Sequence, residues 1–214
     1  TTRGEGILLA VSIQRRPLLL CVALALTTCV SGCSSETERP KVPEGAKSSG
    51  GKHAVIETAQ GPITLEFFAD EAPVAVENFR LLAEHGYYDG LTFHRIVKGF
   101  MLQGGDPLGN GQGGESAWGG TFADNIVEDS PLYRTGYRRG VLAMANRGPN
   151  TNGSQFFIMH QDYPLPPNYV IFARVTGSMA AVDAIADVPT ALGADGNMSA
   201  PVAPVMIKKI TIQP

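Results

Sequence analysis

From His53 onward, short runs rich in β-branched and aromatic residues alternate with long stretches of Gly, Pro and Asn, a rhythm that confines the chain to an antiparallel β architecture. Ile63, Leu65 and Phe67 alternate with Thr64, Glu66 and Phe68, the period of a strand with one buried face. Ala54-Val55-Ile56-Glu57-Thr58 is also strand-like, and Gln60-Gly61-Pro62 signals a turn between the two, so a hairpin opens the domain. A helix is expected next. Pro73 suits its first turn, Gly86 suits its C-terminal cap, and Ala75, Val76, Phe79, Leu82 and Ala83 share one face while Glu77, Arg80 and Glu84 take the other. Further strands are predicted over residues 91–97, 140–145, 155–160, 169–175 and 205–212, with a second helix over 179–186. Many strands with two isolated helices do not fit repeated βαβ units, which leaves an antiparallel sheet or barrel with helical caps.

The first residues follow a different logic. Arg15-Arg16 precede a nearly unbroken apolar run over 17–30 and then Ser31-Gly32-Cys33, the layout of a secretory signal. The run falls short of the ~20 apolar residues that cross a bilayer. Val30-Ser31-Gly32-Cys33 resembles the bacterial lipobox, in which lipid is attached to the cysteine and cleavage occurs just before it. Residues 1–32 are therefore expected to be a removed lipoprotein-type signal peptide, residues 33–52 a lipidated Cys33 with its tether, and residues 53–214 the folded domain. Cys21 and Cys29 fall in the removed segment, which leaves Cys33 without a disulfide partner. The protein is expected to be exported and lipid-anchored to the membrane, facing the periplasm or the cell exterior. Residues 34–52 carry Ser, Glu, Pro, Lys and Gly with almost nothing to bury, and are expected to be disordered, with ends roughly 25 Å apart.

Composition excludes several classes of function. Lys and Arg number 17 against 20 Asp and Glu, for a net charge of −3, and no basic run is interleaved with aromatics, so nucleic acid is not an expected partner. His and the carboxylates show no metal-ligand spacing, and no metal or cofactor is expected. Gly109-Asn110-Gly111-Gln112-Gly113-Gly114 formally matches a dinucleotide-binding pattern but lacks the surrounding strand–turn–helix unit, and reads as a surface loop. Pro164-Leu165-Pro166-Pro167 reads as a rigid loop.

Two blocks are far more specific. Phe93-His94-Arg95-Ile96-Val97-Lys98-Gly99-Phe100-Met101-Leu102-Gln103-Gly104-Gly105-Asp106 and Met144-Ala145-Asn146-Arg147-Gly148-Pro149-Asn150-Thr151-Asn152-Gly153-Ser154-Gln155-Phe156-Phe157-Ile158 resemble the signature segments of cyclophilins, a likeness that runs from about His53 to Ile212. The resemblance implies a mainly β fold, an eight-stranded antiparallel β-barrel capped by two α-helices. It further implies a monomeric peptidyl-prolyl cis-trans isomerase that acts on proline-containing polypeptides without a cofactor. Arg95 matches the catalytic arginine. Phe100, Met101, Phe157 and Leu165 match the proline pocket, Gln103 and Asn146 the groups that hydrogen-bond the substrate backbone, and Gly111, Ala145 and Gln155 the groove.

One loop departs from the eukaryotic pattern. Counting back from Phe172 puts Tyr169 where many relatives carry a His that contacts the substrate carbonyl, and the Trp expected nearby is absent from residues 163–169. By strand alternation His94 should point away from Arg95 and be structural. A non-catalytic proline-peptide binding or chaperone module is the alternative to the enzyme.

The lipobox generates a direct test. Expression in a bacterial host with labelled fatty acid is expected to label the mature protein, and Cys33→Ser should abolish the label and leave the N-terminal segment uncleaved by mass spectrometry.

Overall fold

Strands β1 (His53–Thr58) and β2 (Gly61–Phe67) form the opening hairpin, paired from His53↔Glu66 to Thr58↔Gly61. This computed structural model describes residues 39–214; the expected signal segment 1–32, with Cys21 and Cys29, and the expected lipidation site Cys33 lie outside the described residues. Helix α1 (Pro73–Glu84) follows, then β3 (Phe93–Val97), β4 (Met101–Gly104), α2 (Pro131–Thr135), β5 (Val141–Met144), β6 (Phe156–Met159) and β7 (Ile171–Val175). Helix α3 (Ala180–Ala186), a small hairpin of β8 (Thr190–Leu192) and β9 (Met198–Pro201), and β10 (Ile207–Gln213) complete the order. Eight strands make one antiparallel half-barrel sheet in the order β10-β1-β2-β7-β5-β6-β4-β3. Its two edges approach at one end, where Phe93 N–H donates to Val205 O at 2.9 Å and Ile207 N–H to Leu91 O at 2.7 Å.

Residues 141–144 and 156–159 are buried at every position, so their apolar runs carry no visible alternation, although the alternation is there in space. Leu142, Met144, Phe156 and Ile158 turn into the main core with Phe79, Tyr88, Phe93 and Phe172. Val141, Ala143, Phe157 and Met159 turn the other way into a second cluster with Met101, Tyr137 and Ile171. Half-buried Leu132 and Tyr133 of α2 pack against this second cluster.

Helix α1 has no side-chain N-cap; Pro73 starts it, and Gly86, at φ +71, lets the chain turn off its end while its N–H bonds Ala83 O. The expected apolar face is buried, but Arg80, expected outside, is buried too. Its guanidinium lies 5.1 Å from the Phe67 ring centroid, a cation–π placement that offsets part of its desolvation. Asn78, fully buried, donates to Gly153 O at 2.9 Å and accepts from Ala117 N–H at 2.7 Å, which ties α1 to two long loops.

The sequence pattern did not foretell β4, α2, β8 or β9. The first two are only 4 and 5 residues long. The β8–β9 pair is mostly exposed and has no buried face to impose a period.

Residues 39–52, the described part of the expected tether, lie along α1. Ser48 donates through N–H and Oγ to the Glu77 carboxylate at 3.0 and 2.6 Å, and Ser49 does the same to Glu84 Oε1 at 2.9 and 2.5 Å. Val42 and Ala46 pack on the main core, and Arg39 Nη1 donates to Asp89 O at 2.8 Å. Low hydrophobicity signalled disorder, but the segment is held by pairing its small hydroxyls with two carboxylates about two turns apart on one face of α1. The Ser48 and Ser49 amides are expected to show slowed hydrogen exchange in wild type. A Glu77→Ala/Glu84→Ala double variant should exchange them at the rate of free chain while leaving the β1 and β2 amides protected.

Candidate functional site

Arg95 owes its direction to an irregularity in β3. Phe93 pairs with Gly104 and Arg95 with Gln103, so two steps of β3 face one step of β4 and His94 drops out of the ladder. A bulge of this kind breaks alternation and re-aims the side chains around it. His94 therefore does not point away from Arg95 as expected; both line one cavity of about 450 Å³ beside the loop 109–112. Among the described residues neither nitrogen of the His94 ring has a hydrogen-bond partner, and burial holds the imidazole below its ordinary value of 6.5, which favours the neutral ring at neutral pH.

The second apolar cluster opens at its end into another cavity, of about 240 Å³. Arg95, Phe100, Met101, Gln103, Ala145, Asn146, Phe157, Leu165 and Tyr169 line it, all residues singled out from the sequence. Phe100 sits at the turn between β3 and β4, Met101 and Gln103 on β4, Phe157 on β6, and Ala145 and Asn146 just beyond β5. The Phe100 ring packs on Tyr163 with centroids 4.5 Å apart, and the Arg95 guanidinium lies 5.9 Å from the Phe100 centroid. Apolar walls with a few converging polar groups suit a small apolar ring attached to a polar backbone.

Gly111 and Gln155 stand outside that cavity. Gly111 lines the neighbouring one, which shares Arg95 and Gln103 with it. Gln155, buried, accepts from Gln103 Nε2 at 2.9 Å and donates to Gly113 O at 2.8 Å, so it fixes the Gln103 amide from behind.

Two loops are held by buried polar groups. Asp106, 1% exposed, accepts from the N–H groups of Leu108, Asn110 and Gly111 at 2.9, 3.0 and 2.6 Å, and curls the Gly-rich loop around its carboxylate. A β-carbon at Gly113 would collide with Asp106 Oδ1, which explains glycine there. In the loop between β6 and β7, the Tyr137 hydroxyl donates to Tyr169 O at 2.8 Å and accepts from Tyr169 N–H at 3.1 Å. Asn146 Nδ2 donates to Asn168 O at 2.8 Å, and the Tyr169 ring meets Phe157 edge-on at 5.4 Å.

Three residues were missed. Tyr163 walls Phe100, Arg147 Nη2 donates to Gly111 O at 3.1 Å, and Asp195 Oδ2 lies 2.7 Å from Arg95 Nε. Only Asp195 had a signal, since Asp195-Gly196 between two short runs marks a hairpin turn.

Comparison with known proteins agrees with this geometry. The family model described as cyclophilin type peptidyl-prolyl cis-trans isomerase/CLD matches residues 53–212. Peptidyl-prolyl cis-trans isomerase CYP18-1 of Arabidopsis thaliana is 45% identical over 158 residues, 73% of this chain and 93% of the relative. Peptidyl-prolyl cis-trans isomerase 9 of Schizosaccharomyces pombe is 43% identical over 79% of this chain, which spans only 27% of that longer protein. The crystal structure of a Cryptosporidium parvum cyclophilin type isomerase superposes with a TM-score of 0.69 at 37% identity, covering 77% of this chain and 98% of the other.

Burial raises the Tyr137 phenol well above its ordinary value of 10.0. A group whose value is higher folded than unfolded favours folding below the unfolded value and progressively less above it, so stability should fall as pH rises beyond about 10. Tyr137→Phe should lower stability at pH 8 by about 1–2 kcal/mol, through the lost pair of hydrogen bonds, and flatten part of the alkaline decline. Urea midpoints measured between pH 8 and 11 check both.

Proposed function

The chain belongs to the cyclophilin-type peptidyl-prolyl cis-trans isomerases and is an enzyme of that activity, and on that premise we propose that Arg95 is its catalytic group and exported polypeptides its clients. The carrying observation is the placement of one guanidinium on the rim of an apolar cavity whose other walls are Phe100, Met101, Phe157 and Leu165.

An X–Pro amide interconverts slowly because resonance sets a barrier of ~18–20 kcal/mol, although its two isomers are close in energy. No bond to carbon has to form or break. The site must hold the ring, grip the flanking backbone and stabilise the twisted amide more than either planar form. In the twisted state the prolyl nitrogen becomes pyramidal and recovers its lone pair. Fixed donors of Arg95 directed at that nitrogen bind the twisted state selectively. Arg95 Nη1 already lies 3.8 Å from Met101 Sδ, against a wall of the cavity. Phe100, Met101, Phe157 and Leu165 hold the ring. Gln103, oriented by Gln155, and Asn146 take the backbone, and Tyr169 offers a phenol where many relatives present an imidazole. The solved Cryptosporidium parvum relative obtained in the presence of the dipeptide Ala-Pro supports a ligand of this class.

Export and anchoring rest on the sequence: the signal layout of 1–32 and the lipobox ending at Cys33 supply the route and the attachment. Among the described residues no helix is long and apolar enough to cross a membrane.

Catalysis and binding separate in one experiment, a proline-peptide titration by NMR with exchange spectroscopy on the same samples. Arg95→Ala should slow the catalysed interconversion by about 10²–10³ while peptide affinity changes little, as for loss of a transition-state donor. Phe100→Ala should weaken affinity and turnover together. Peptide binding without accelerated exchange in wild type would replace the enzyme with a binding module.

A further inference from the structure

Arg95 is held by a charge from outside the half-barrel sheet. Its partner, Asp195, sits at the turn between β8 and β9, 100 residues away in sequence. The two oxygens of that carboxylate are divided in their tasks. Oδ1 accepts from Ser199 Oγ at 2.6 Å and from Asn197 N–H at 3.1 Å, both within the hairpin, while Oδ2 faces Arg95 Nε at 2.7 Å. The Ser199 hydroxyl first, then Arg95 and Asn197, keep the carboxyl well below the usual carboxylate range, so it is ionised at neutral pH.

The nitrogen chosen matters. A carboxylate that gripped both terminal nitrogens of the guanidinium would occupy the donors that face the cavity. Contact at Nε alone fixes the swing of the side chain about its last bonds and leaves Nη1 beside Met101. Both side chains are partly exposed, at 30% and 23%, so the pair adds little to stability, and its effect is on direction. Arg95 is the first paired residue after the bulge at His94, where the strand bends and its side chains are re-aimed.

We propose that Asp195 is a positioning residue, and the β8–β9 hairpin a fixed outer support, that hold the Arg95 guanidinium in its working direction. This rests on the assignment of catalysis to Arg95. The hairpin lies along β3, the strand that carries Arg95, while its Leu192 and Met198 are 71% and 62% exposed.

The test is a double-mutant cycle read by exchange spectroscopy on a proline peptide, with peptide affinity measured in the same samples. Asp195→Ala should lower the catalysed rate about 10-fold, the scale of a misplaced group, with affinity unchanged. In an Arg95→Ala background the same substitution should lower it no further, because Asp195 acts only through the guanidinium. A wild-type rate in Asp195→Ala, or equal losses in both backgrounds, overturns the proposal while leaving Arg95 in place. A wild-type rate in Arg95→Ala removes the catalytic assignment and this inference with it. If Asp195→Ala does not fold, Ser199→Ala, which removes the shortest of the hairpin's hydrogen bonds to that carboxylate, must slow exchange at constant affinity; an unchanged rate overturns the proposal.

Discussion

Phe156 and Ile158 turn into one apolar cluster and Phe157 and Met159 into another, because β6 is covered on both faces. The same holds for β5, and this two-sided burial sets the geometry of everything nearby. The main core on one face supplies most of the apolar burial and makes the strand positions stiff. The cluster on the other face is smaller and incomplete. Where it runs out, between Phe100, Phe157, Leu165 and Tyr169, it leaves a cavity with rigid walls, and the site is a gap in packing that the fold does not itself fill.

Polar groups then define the rim. Asp106 gathers three backbone N–H groups, Ser154 Oγ donates to Gly105 O at 2.6 Å, and Tyr88 hydroxyl donates to Ser154 O at 3.1 Å. The Asp106, Ser154 and Tyr88 side chains that make these bonds are themselves buried, where an unmet polar group would cost more than the bond contributes. They stiffen loops that have too few apolar side chains to pack, and through Gln155 and Gly113 the stiffness reaches Gln103.

How far the sequence foretold this depends on what each residue answers to. Alternation in 63–67 and the helical arc of 75–83 are local consequences of one buried face, and both were legible. Seven of the nine cavity residues were legible because two motif blocks carried them, and Leu165 and Tyr169 because the resemblance extends through their loop; taken singly, Phe100 or Phe157 reads as core. Arg80, His94 and Asp195 were misread or missed for physical reasons. Arg80 is buried by an aromatic ring from another strand, His94 by a one-residue bulge that period counting cannot see, and Asp195 meets its partner across 100 positions. Residues 39–52 had the composition of free chain and gained order from two glutamates on α1, a long-range pairing that composition does not encode.

The first residue of β1 and the last of β10 are neighbours: His53 pairs with Gln213, and its Nδ1 lies 3.2 Å from Pro214 O. In an antiparallel pair the two chain ends leave from the same edge. A pull between residue 53 and residue 214 would therefore load the hydrogen bonds of β1 and β10 one after another, as a zipper opens, and would never load them together in shear. The folded region is mechanically soft along the line that joins residues 53 and 214, and a tension transmitted through both would peel the edge strand β10 away before it disturbed the cavity on the far strands.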